Sequence, residues 1–243
     1  MTEPLLSVCD VHAGYIPGVD ILRGVSLDVH PNQITLVVGP NGSGKSTLLR
    51  TIFGLLRAHR GTITFGGRDT AAMKSNDLKT GGVSYVPQDI NSFPQLTVEE
   101  NLMMGAWVFR RDRARLRQRL EHAYATFSAL ASKRHDRAGS LSGGQGRMLS
   151  VAREMMTGPT LLLVDEPTVG LAPNLVEQVY EILLTAKRAT GAAILLVEQN
   201  VEQALPLADY LYMLNLGSVK AEGRGADFDD ARVRTLVQEC LLG

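Results

Sequence analysis

The stretch that decides the fold is GPNGSGKS, Gly39–Ser46. It fits the pattern G-x-x-x-x-G-K-[ST]. It follows an apolar run that predicts a buried strand, Ile34–Val38, and precedes a segment with helical spacing of apolar residues, Thr47–Leu56. A phosphate-binding loop requires this context, because its glycines turn backbone N–H groups toward phosphate oxygens and the next helix points its positive end at the same anion. A chance glycine-rich turn is the alternative, and the flanking strand and helix argue against it.

The loop predicts a binding site for the phosphates of a nucleotide. Lys45 would neutralise the β- and γ-phosphates, and the hydroxyl of Ser46 would ligate Mg²⁺. The predicted nucleotide-binding residues of this segment are Gly39, Pro40, Asn41, Gly42, Ser43, Gly44, Lys45, Ser46 and Thr47.

A second candidate element is the apolar run Leu161–Val164, which ends in two carboxylates. Side chains alternate along a strand, so adjacent acids at its tip can serve two purposes. We expect Asp165 to hold Mg²⁺ through water and Glu166 to polarise the water that attacks ATP. A pair of solvated acids in a loop is the alternative, and the phosphate loop makes it less attractive.

The composition excludes several classes of protein. Of 243 residues, 25 are Lys or Arg and 25 are Asp or Glu, so no net field would attract nucleic acid. The basic run Arg110–Arg119 is interleaved with acidic and apolar residues, which favours a solvated helix face over a nucleic-acid or lipid site. No stretch approaches the roughly 18 apolar residues of a membrane span, and no signal peptide is visible, so a chain soluble by itself is expected. Cys9 and Cys240 have no metal-like spacing and are interpreted as structural or incidental thiols.

The remaining pattern predicts an α/β core interrupted by a helical block. The predicted strands are Leu6–Val11, Val25–Val29, Ile34–Val38, Thr62–Phe65, Val83–Val86, Leu161–Val164, Ile194–Val197, Tyr210–Leu214 and Ser218–Ala221. The predicted helical segments are Thr47–Leu56, Thr97–Leu130, Gly143–Met156, Leu175–Ala189 and Val201–Leu207.

The most specific motif is LSGGQ, Leu141–Gln145. Ser142 is a suitable N-cap, and the helix after it has an apolar face, so the two glycines form a second helix N-terminus able to bind an anion. A chain with two phosphate sites and one phosphate-loop lysine resembles the ATPase subunits of ABC transporters, whose signature is this pentapeptide. The resemblance runs from Tyr15 to about Gly223.

The resemblance implies a P-loop NTPase core with a central, mainly parallel sheet, an N-terminal antiparallel β part and an inserted helical subdomain. It implies one domain over residues 1–243, with 1–88 and 159–243 forming the core and about 89–158 the helical subdomain. In this family two ATPase subunits meet head to tail, and each ATP lies between the phosphate loop of one and the signature of the other. Ser142, Gly143, Gly144 and Gln145 are therefore expected to contact the ATP of a partner.

Three further site residues follow from the resemblance. Tyr15 matches the aromatic residue that stacks on adenine, with a strand-edge tyrosine as the alternative. Gln88 matches the glutamine that contacts Mg²⁺ and the attacking water, with a solvated loop residue as the alternative. Gln199 occupies the position of the family's switch histidine, which contacts the γ-phosphate.

The chain departs from the family pattern at this last position. A glutamine amide can donate a hydrogen bond to phosphate, but it cannot become cationic or pass on a proton. The exchange would lose on the order of 1 kcal/mol of transition-state stabilisation. Two other departures are Ala172, where many relatives carry an aspartate, and Gly146-Arg147 directly after the signature.

The segments VEQNVEQAL and DEPTVGLAP resemble the shorter ATPase subunit of branched-chain amino acid importers, and those of urea and short-amide importers look nearly the same. The resemblance implies a second ATPase subunit, two permease subunits, an external solute-binding protein and a peripheral place on the cytoplasmic face of the membrane. A homodimer is possible in isolation. A non-transport ABC ATPase and a nucleotide-binding scaffold are the alternatives. A non-transport ABC ATPase usually carries long coiled-coil insertions or fused ATPase domains, and this sequence shows neither. Lys45 and Glu166 argue against a nucleotide-binding scaffold that hydrolyses nothing.

Overall fold

The protein, a computed structural model, is described over residues 3–228, apart from the side chains of Pro173 and Asn174. The ten strands within that range are β1 Leu6–Ala13, β2 Leu22–Val29, β3 Ile34–Val38, β4 Arg60–Phe65, β5 Arg68–Asp69, β6 Val83–Val86, β7 Leu161–Asp165, β8 Ala193–Glu198, β9 Tyr210–Asn215 and β10 Ser218–Arg224. The eight α-helices of residues 3–228 are α1 Lys45–Ile52, α2 Ser75–Thr80, α3 Val98–Gly105, α4 Arg113–Thr126, α5 Ser128–Ala131, α6 Gly143–Met155, α7 Pro173–Thr190 and α8 Val201–Ala204.

The strands form two sheets. The larger sheet has the order β10-β9-β3-β8-β7-β6, and all its neighbouring strands are parallel except β10 and β9. β3, β7 and β8 are buried along their whole length, which explains their uninterrupted apolar sequences. The smaller sheet, β2-β1-β4-β5, is antiparallel. The predicted α/β fold with a mainly parallel sheet and an N-terminal antiparallel part is confirmed.

Two apolar clusters hold these layers together. One lies between the two sheets and includes Leu48, Leu49 and Ile52 of α1. The other lies between the larger sheet and the helical block, where α3 packs against α6 and α6 packs against α7. The phosphate loop, between β3 and α1, is therefore anchored on both sides by buried elements.

The helical block is more broken than the sequence predicts. The segment Thr97–Leu130 contains α3, a 3₁₀ turn at Trp107–Phe109, α4 and α5. The basic side chains on α4 lie largely exposed, as predicted for a solvated face. The division of the chain into a core and a helical subdomain stays a prediction.

Several boundaries differ because glycine fixes the backbone there. α1 begins at Lys45 rather than Thr47, since Gly44 adopts a left-handed conformation with φ 106° at the N-cap. The chain then leaves the helix at Ile52, close to Gly54 with φ 72°. The short elements α2 and β5 were not predicted. Cys9 is an exposed free thiol, and Cys240 lies outside the described residues.

Candidate active site

A cleft lies at the carboxyl ends of the parallel strands, where sites in open α/β sheets are expected. The phosphate loop follows β3, Glu166 follows β7, Gln199 follows β8 and Gln88 lies just after β6. These strands are neighbours in the order β3-β8-β7-β6, so residues far apart in sequence meet at one edge. The cleft has a volume of about 490 Å³ and is lined by Ile21, Asn41, Gly42, Gly44, Lys45, Ser46, Thr47, Gln88, Glu166, Val169 and Gln199.

The phosphate loop has the geometry that an anion requires. Gly42 and Gly44 have φ angles of 80° and 106°, which favour glycine. No side chain caps the N-terminus of α1, so the first backbone N–H groups of this helix face the cleft and donate no hydrogen bond to a capping side chain. The hydroxyl of Ser43 is buried and has no hydrogen-bond partner among the described residues. A phosphate group would satisfy these donors.

Lys45 forms an ion pair with an acid of the cleft. Its ammonium lies 3.0 Å from Oε1 of Glu166, and it also donates hydrogen bonds to the carbonyls of Gly39 at 2.9 Å and Pro40 at 3.1 Å. Both side chains of the ion pair are nearly buried, 3% and 10% exposed. Glu166 has a φ of 40°, an uncommon conformation for a non-glycine residue that costs about 1–3 kcal/mol. The residue predicted to bind phosphate and the residue predicted to activate water are thus direct partners.

Asp165 lies beneath the cleft and is buried. Ser46 Oγ donates to its Oδ1 at 2.8 Å, and Tyr85 Oη donates to its Oδ2 at 2.8 Å. Burial raises the pKa of Asp165, and the two hydrogen bonds oppose that rise because they favour the carboxylate.

The predicted Mg²⁺ ligands fit that ion. Ser46, Asp165 and Gln88 supply only oxygen donors, and Ser46 and Asp165 already touch. Magnesium binds through one or two carboxylates together with phosphate oxygens and water rather than through a cage of acids. No group of three or more His, Cys, Asp or Glu side chains that could form such a cage occurs within residues 3–228.

The two glutamines reach the cleft from separate strands. Gln88 and Gln199 both line it. Their predicted contacts with Mg²⁺, water and the γ-phosphate stay predictions. The backbone N–H of Gln199 donates to Oε2 of Glu198 at 3.3 Å. Glu198 is only 1% exposed and also accepts a hydrogen bond from the hydroxyl of Thr168 at 2.8 Å. Burial raises the pKa of Glu198 to about 7.

Two groups of predicted residues lie away from the cleft lining. Tyr15 is 52% exposed, and its hydroxyl accepts a hydrogen bond from Arg50 at 2.9 Å. Its stacking on adenine stays a prediction. Ser142 caps α6 by accepting from the N–H of Gln145 at 3.3 Å, and Gln145 Oε1 accepts from the N–H of Ser142 at 3.2 Å. The signature therefore forms a separate surface, and none of its residues is among those that line the cleft.

Sequence reasoning missed two parts of the site. Tyr85 donates a hydrogen bond to Asp165, the predicted metal ligand, from β6, which pairs with β7. The place of Tyr85 near the end of a predicted strand was the sequence signal that could have indicated this contact. Thr168 donates a hydrogen bond to Glu198, and the two residues lie three residues past the end of β7 and at the last position of β8. Their pairing could not be read from the sequence because it joins two different strand ends.

These features define a phosphate-loop nucleotide-hydrolysing protein. Comparison with known proteins narrows this class. Residues 22–169 match the ABC transporter family. The chain is 38% identical over 219 residues to the probable branched-chain amino acid transport ATP-binding protein LivF of Archaeoglobus fulgidus, covering 90% of this chain and 92% of that protein. It is 38% identical over 212 residues to the high-affinity branched-chain amino acid transport ATP-binding protein BraG of Pseudomonas aeruginosa, covering 87% and 90%.

A solved structure agrees with the fold. The ADP conformation of MJ1267, described as an ATP-binding cassette of an ABC transporter, superposes with a TM-score of 0.85 at 29% identity and full coverage of both chains. The chain belongs to the ABC transporter ATP-binding family. It is an ATP-binding subunit and an ATPase of that family.

Proposed function

We propose that this chain powers an importer of branched-chain amino acids. The observation that carries the ATP-driven part of the proposal is the cleft that joins Lys45, Glu166, Gln88 and Gln199 at one sheet edge. The names of the similar proteins LivF and BraG support the class of solute. Nothing in the site itself contacts the transported solute, so the solute rests on those names.

The ion pair of Lys45 with Glu166 suggests how ATP enters. The β- and γ-phosphates would take over Lys45, because they carry more negative charge than one carboxylate. Glu166 would then be released from its partner and could accept a proton from the attacking water. One change of partner would therefore place the lysine on the phosphates and prepare the base.

The remaining residues would orient the reactants. Ser46 and Asp165 would hold Mg²⁺ with Gln88, and the bound ion would neutralise charge on the β- and γ-phosphates. Gln88 would also orient the water. Gln199 would donate a neutral hydrogen bond to the γ-phosphate. These roles require no proton transfer by either glutamine.

The partners follow from the signature surface. Ser142, Gly143, Gly144 and Gln145 would contact ATP held by a second ATPase subunit, which in the transporter would be a different chain. Two permease subunits and an external solute-binding protein would complete the assembly on the cytoplasmic face of the membrane. Within the described residues no helix is long and apolar enough to cross a bilayer.

The proposal is tested by isolating the chain from membranes with its permease subunits and measuring transport in liposomes. We expect ATP hydrolysis that is stimulated by the loaded binding protein and uptake of leucine, isoleucine or valine. Matched assays with urea and short amides distinguish the nearest alternative. Uptake of those solutes alone would contradict the amino acid assignment, and copurification with no membrane protein would contradict the transport role.

A further inference from the structure

Glu166 lies in a turn whose backbone needs support from outside the turn. Its φ of 40° is a left-handed conformation that residues with a side chain rarely adopt. The Val169 N–H donates to the Glu166 carbonyl at 3.4 Å, which is longer than a usual N–H···O hydrogen bond. Such a backbone persists only where the surrounding structure holds it. The contacts that hold this turn must therefore come from another part of the fold.

The end of β8 supplies two contacts to this turn. The Glu166 N–H donates to the Val197 carbonyl at 3.0 Å, which extends the pairing of β7 with β8 beyond the end of β7. Further along, the Thr168 hydroxyl donates to Oε1 of Glu198 at 2.8 Å. The two hydrogen bonds lie on either side of Pro167, which has no N–H and cannot donate one itself. The turn is thus held before and after this proline.

The hydrogen bond between Thr168 and Glu198 is shielded from water. Thr168 is 7% exposed and Glu198 is 1% exposed. Breaking a buried hydrogen bond leaves polar groups without a partner, so the two side chains hold each other in place. The contact needs only an acceptor oxygen on Glu198, and the carboxylate and the carboxylic acid both supply one. The hydrogen bond therefore does not depend on the protonation state of Glu198.

The residues beside this hydrogen bond reach the cleft, although its two partners do not line it. Glu166 and Val169, which lie on either side of Thr168 in the sequence, line the cleft. Gln199, which follows Glu198, lines it too, and its N–H donates to Oε2 of Glu198 at 3.3 Å. Thr168 and Glu198 can therefore influence ATP through the placement of their neighbours.

We propose that Thr168 is a positioning residue for ATP hydrolysis, because its hydrogen bond to Glu198 holds the strained turn that aims the Glu166 carboxylate. Without this bond, the Glu166 backbone would relax toward an ordinary φ and would move its carboxylate away from the attacking water. The same bond ties the Glu166 turn to the strand end that carries Gln199. This inference rests on the proposed function of the cleft, in which Glu166 is the base.

The role predicts a specific kinetic pattern. Thr168→Val removes the hydroxyl but keeps the shape of the side chain, and it should lower kcat about 10–50-fold, since a displacement of about 1 Å can cost 10²-fold in rate. The dissociation constant of ATP should stay within about threefold, because neither partner of the bond lines the cleft. Thr168→Ser keeps the hydroxyl and should recover most of the lost rate. A merely structural role would give less folded protein with unchanged kcat per active site.

The test is a double-mutant cycle on the full chain, with active sites counted by ATP binding. We would measure kcat for wild type, Thr168→Val, Glu198→Met and the double variant. Glu198→Met replaces the acceptor with an unbranched apolar side chain of similar length. If the two side chains act through their hydrogen bond, the double variant should be no slower than the slower single variant.

The matched control is Thr70→Val. Thr70 is also buried, and its hydroxyl donates to the Ile63 carbonyl at 3.0 Å, in a part of the fold that does not line the cleft. Thr70→Val therefore removes a comparable buried hydrogen bond. It should change kcat per active site by less than about twofold, and its effect should multiply with that of Glu198→Met.

A second readout does not depend on turnover. Amide hydrogen exchange of the peptide 164–171 should speed up at least about tenfold in Thr168→Val and should not change in Thr70→Val. Unchanged kcat in Thr168→Val, losses that multiply in the double variant, or unchanged exchange in this peptide would each overturn the inference. Turnover that survives Glu166→Gln would instead overturn the proposed role of Glu166 as the base, whatever the exchange experiment shows.

Discussion

The N-termini of α1 and α6 are both glycine-rich, but a side chain caps the backbone N–H groups of α6 only. α1 has no side-chain cap, and its first residue, Lys45, is buried against Glu166. α6 has a reciprocal capping box between Ser142 and Gln145. The first terminus is therefore left open for a ligand within this chain, whereas the second is stable by itself and keeps only part of its donors free.

The comparison explains how one chain can carry two phosphate-binding ends with different tasks. The end of α1 sits in a cleft with an acid and two glutamines. At α6, a Cβ placed on Gly143 would have no described atom within 4 Å apart from its chain neighbours and the backbone of its own helix, so that surface can be approached closely from outside. The Ser142 hydroxyl accepts from Gln145, which leaves its own hydrogen free to donate to an incoming phosphate.

The largest expected effect is on Glu166, at the α1 side of the comparison. Glu166→Gln should lower turnover about 10²–10⁴-fold, because a general base is lost. ATP should bind at least as tightly as to wild type, since the carboxylate that occupies Lys45 is gone. Stopped-flow nucleotide binding and steady-state phosphate release measure the two effects. Glu181→Gln, an exposed acid on α7, is the control. Unchanged turnover would remove Glu166 from the chemistry.

The next largest effect is expected on ATP-dependent association, from a substitution at Gly144 in the first turn of α6. In the Glu166→Gln background, ATP should produce a dimer or a pair with the second ATPase subunit. Adding Gly144→Asp places a carboxylate against phosphate and should weaken this association about 10²–10³-fold, since like charges at an interface cost several kcal/mol. Light scattering with and without ATP measures it, and Ala125→Asp on the exposed face of α4 is the control. ATP-dependent association that survives Gly144→Asp would show that this helix end is not at the interface.

Removing the side chain of Lys45 should have a smaller effect, and the quantity it changes is the affinity for ATP. Lys45→Ala removes a charged hydrogen bond worth about 1.5–3 kcal/mol, so ATP affinity should fall about 10–150-fold. Calorimetric titration with ATP measures it, and Lys220→Ala, an exposed lysine on β10, is the control. If affinity were unchanged, the open N-terminus of α1 and not the lysine would supply the binding energy.

The smallest effect is expected at Gln199. Gln199→Ala should cost about 0.5–1.5 kcal/mol, which is roughly a 2–10-fold loss of rate, because one neutral hydrogen bond is removed. Gln199→His should equal or exceed wild type in an isolated homodimer. Turnover of both variants is measured beside Gln203→Ala, an exposed glutamine on α8. A loss of 10³-fold would indicate that the amide takes part in the chemistry, and no loss at all would exclude it from the site.

Much of the fold followed from local patterns. The uninterrupted apolar strands β3, β7 and β8 and the loop Gly39–Ser46 were predicted where they occur. These features depend on side-chain periodicity and on glycine conformations, which act over a few residues. The same reasoning missed α2 and β5, which are short and partly exposed and so lack a strong apolar pattern.

The sequence by itself determined which residues are the candidates for the chemistry, because the phosphate loop, the acid pair at the end of β7 and the signature each need specific side chains at fixed spacing. Only the tertiary structure decided their partners. Ser46 meets Asp165 across 119 residues of chain, and Lys45 meets Glu166. Such pairings depend on the strand order β3-β8-β7-β6, and strand order is set by how apolar faces of distant segments pack together rather than by any one segment.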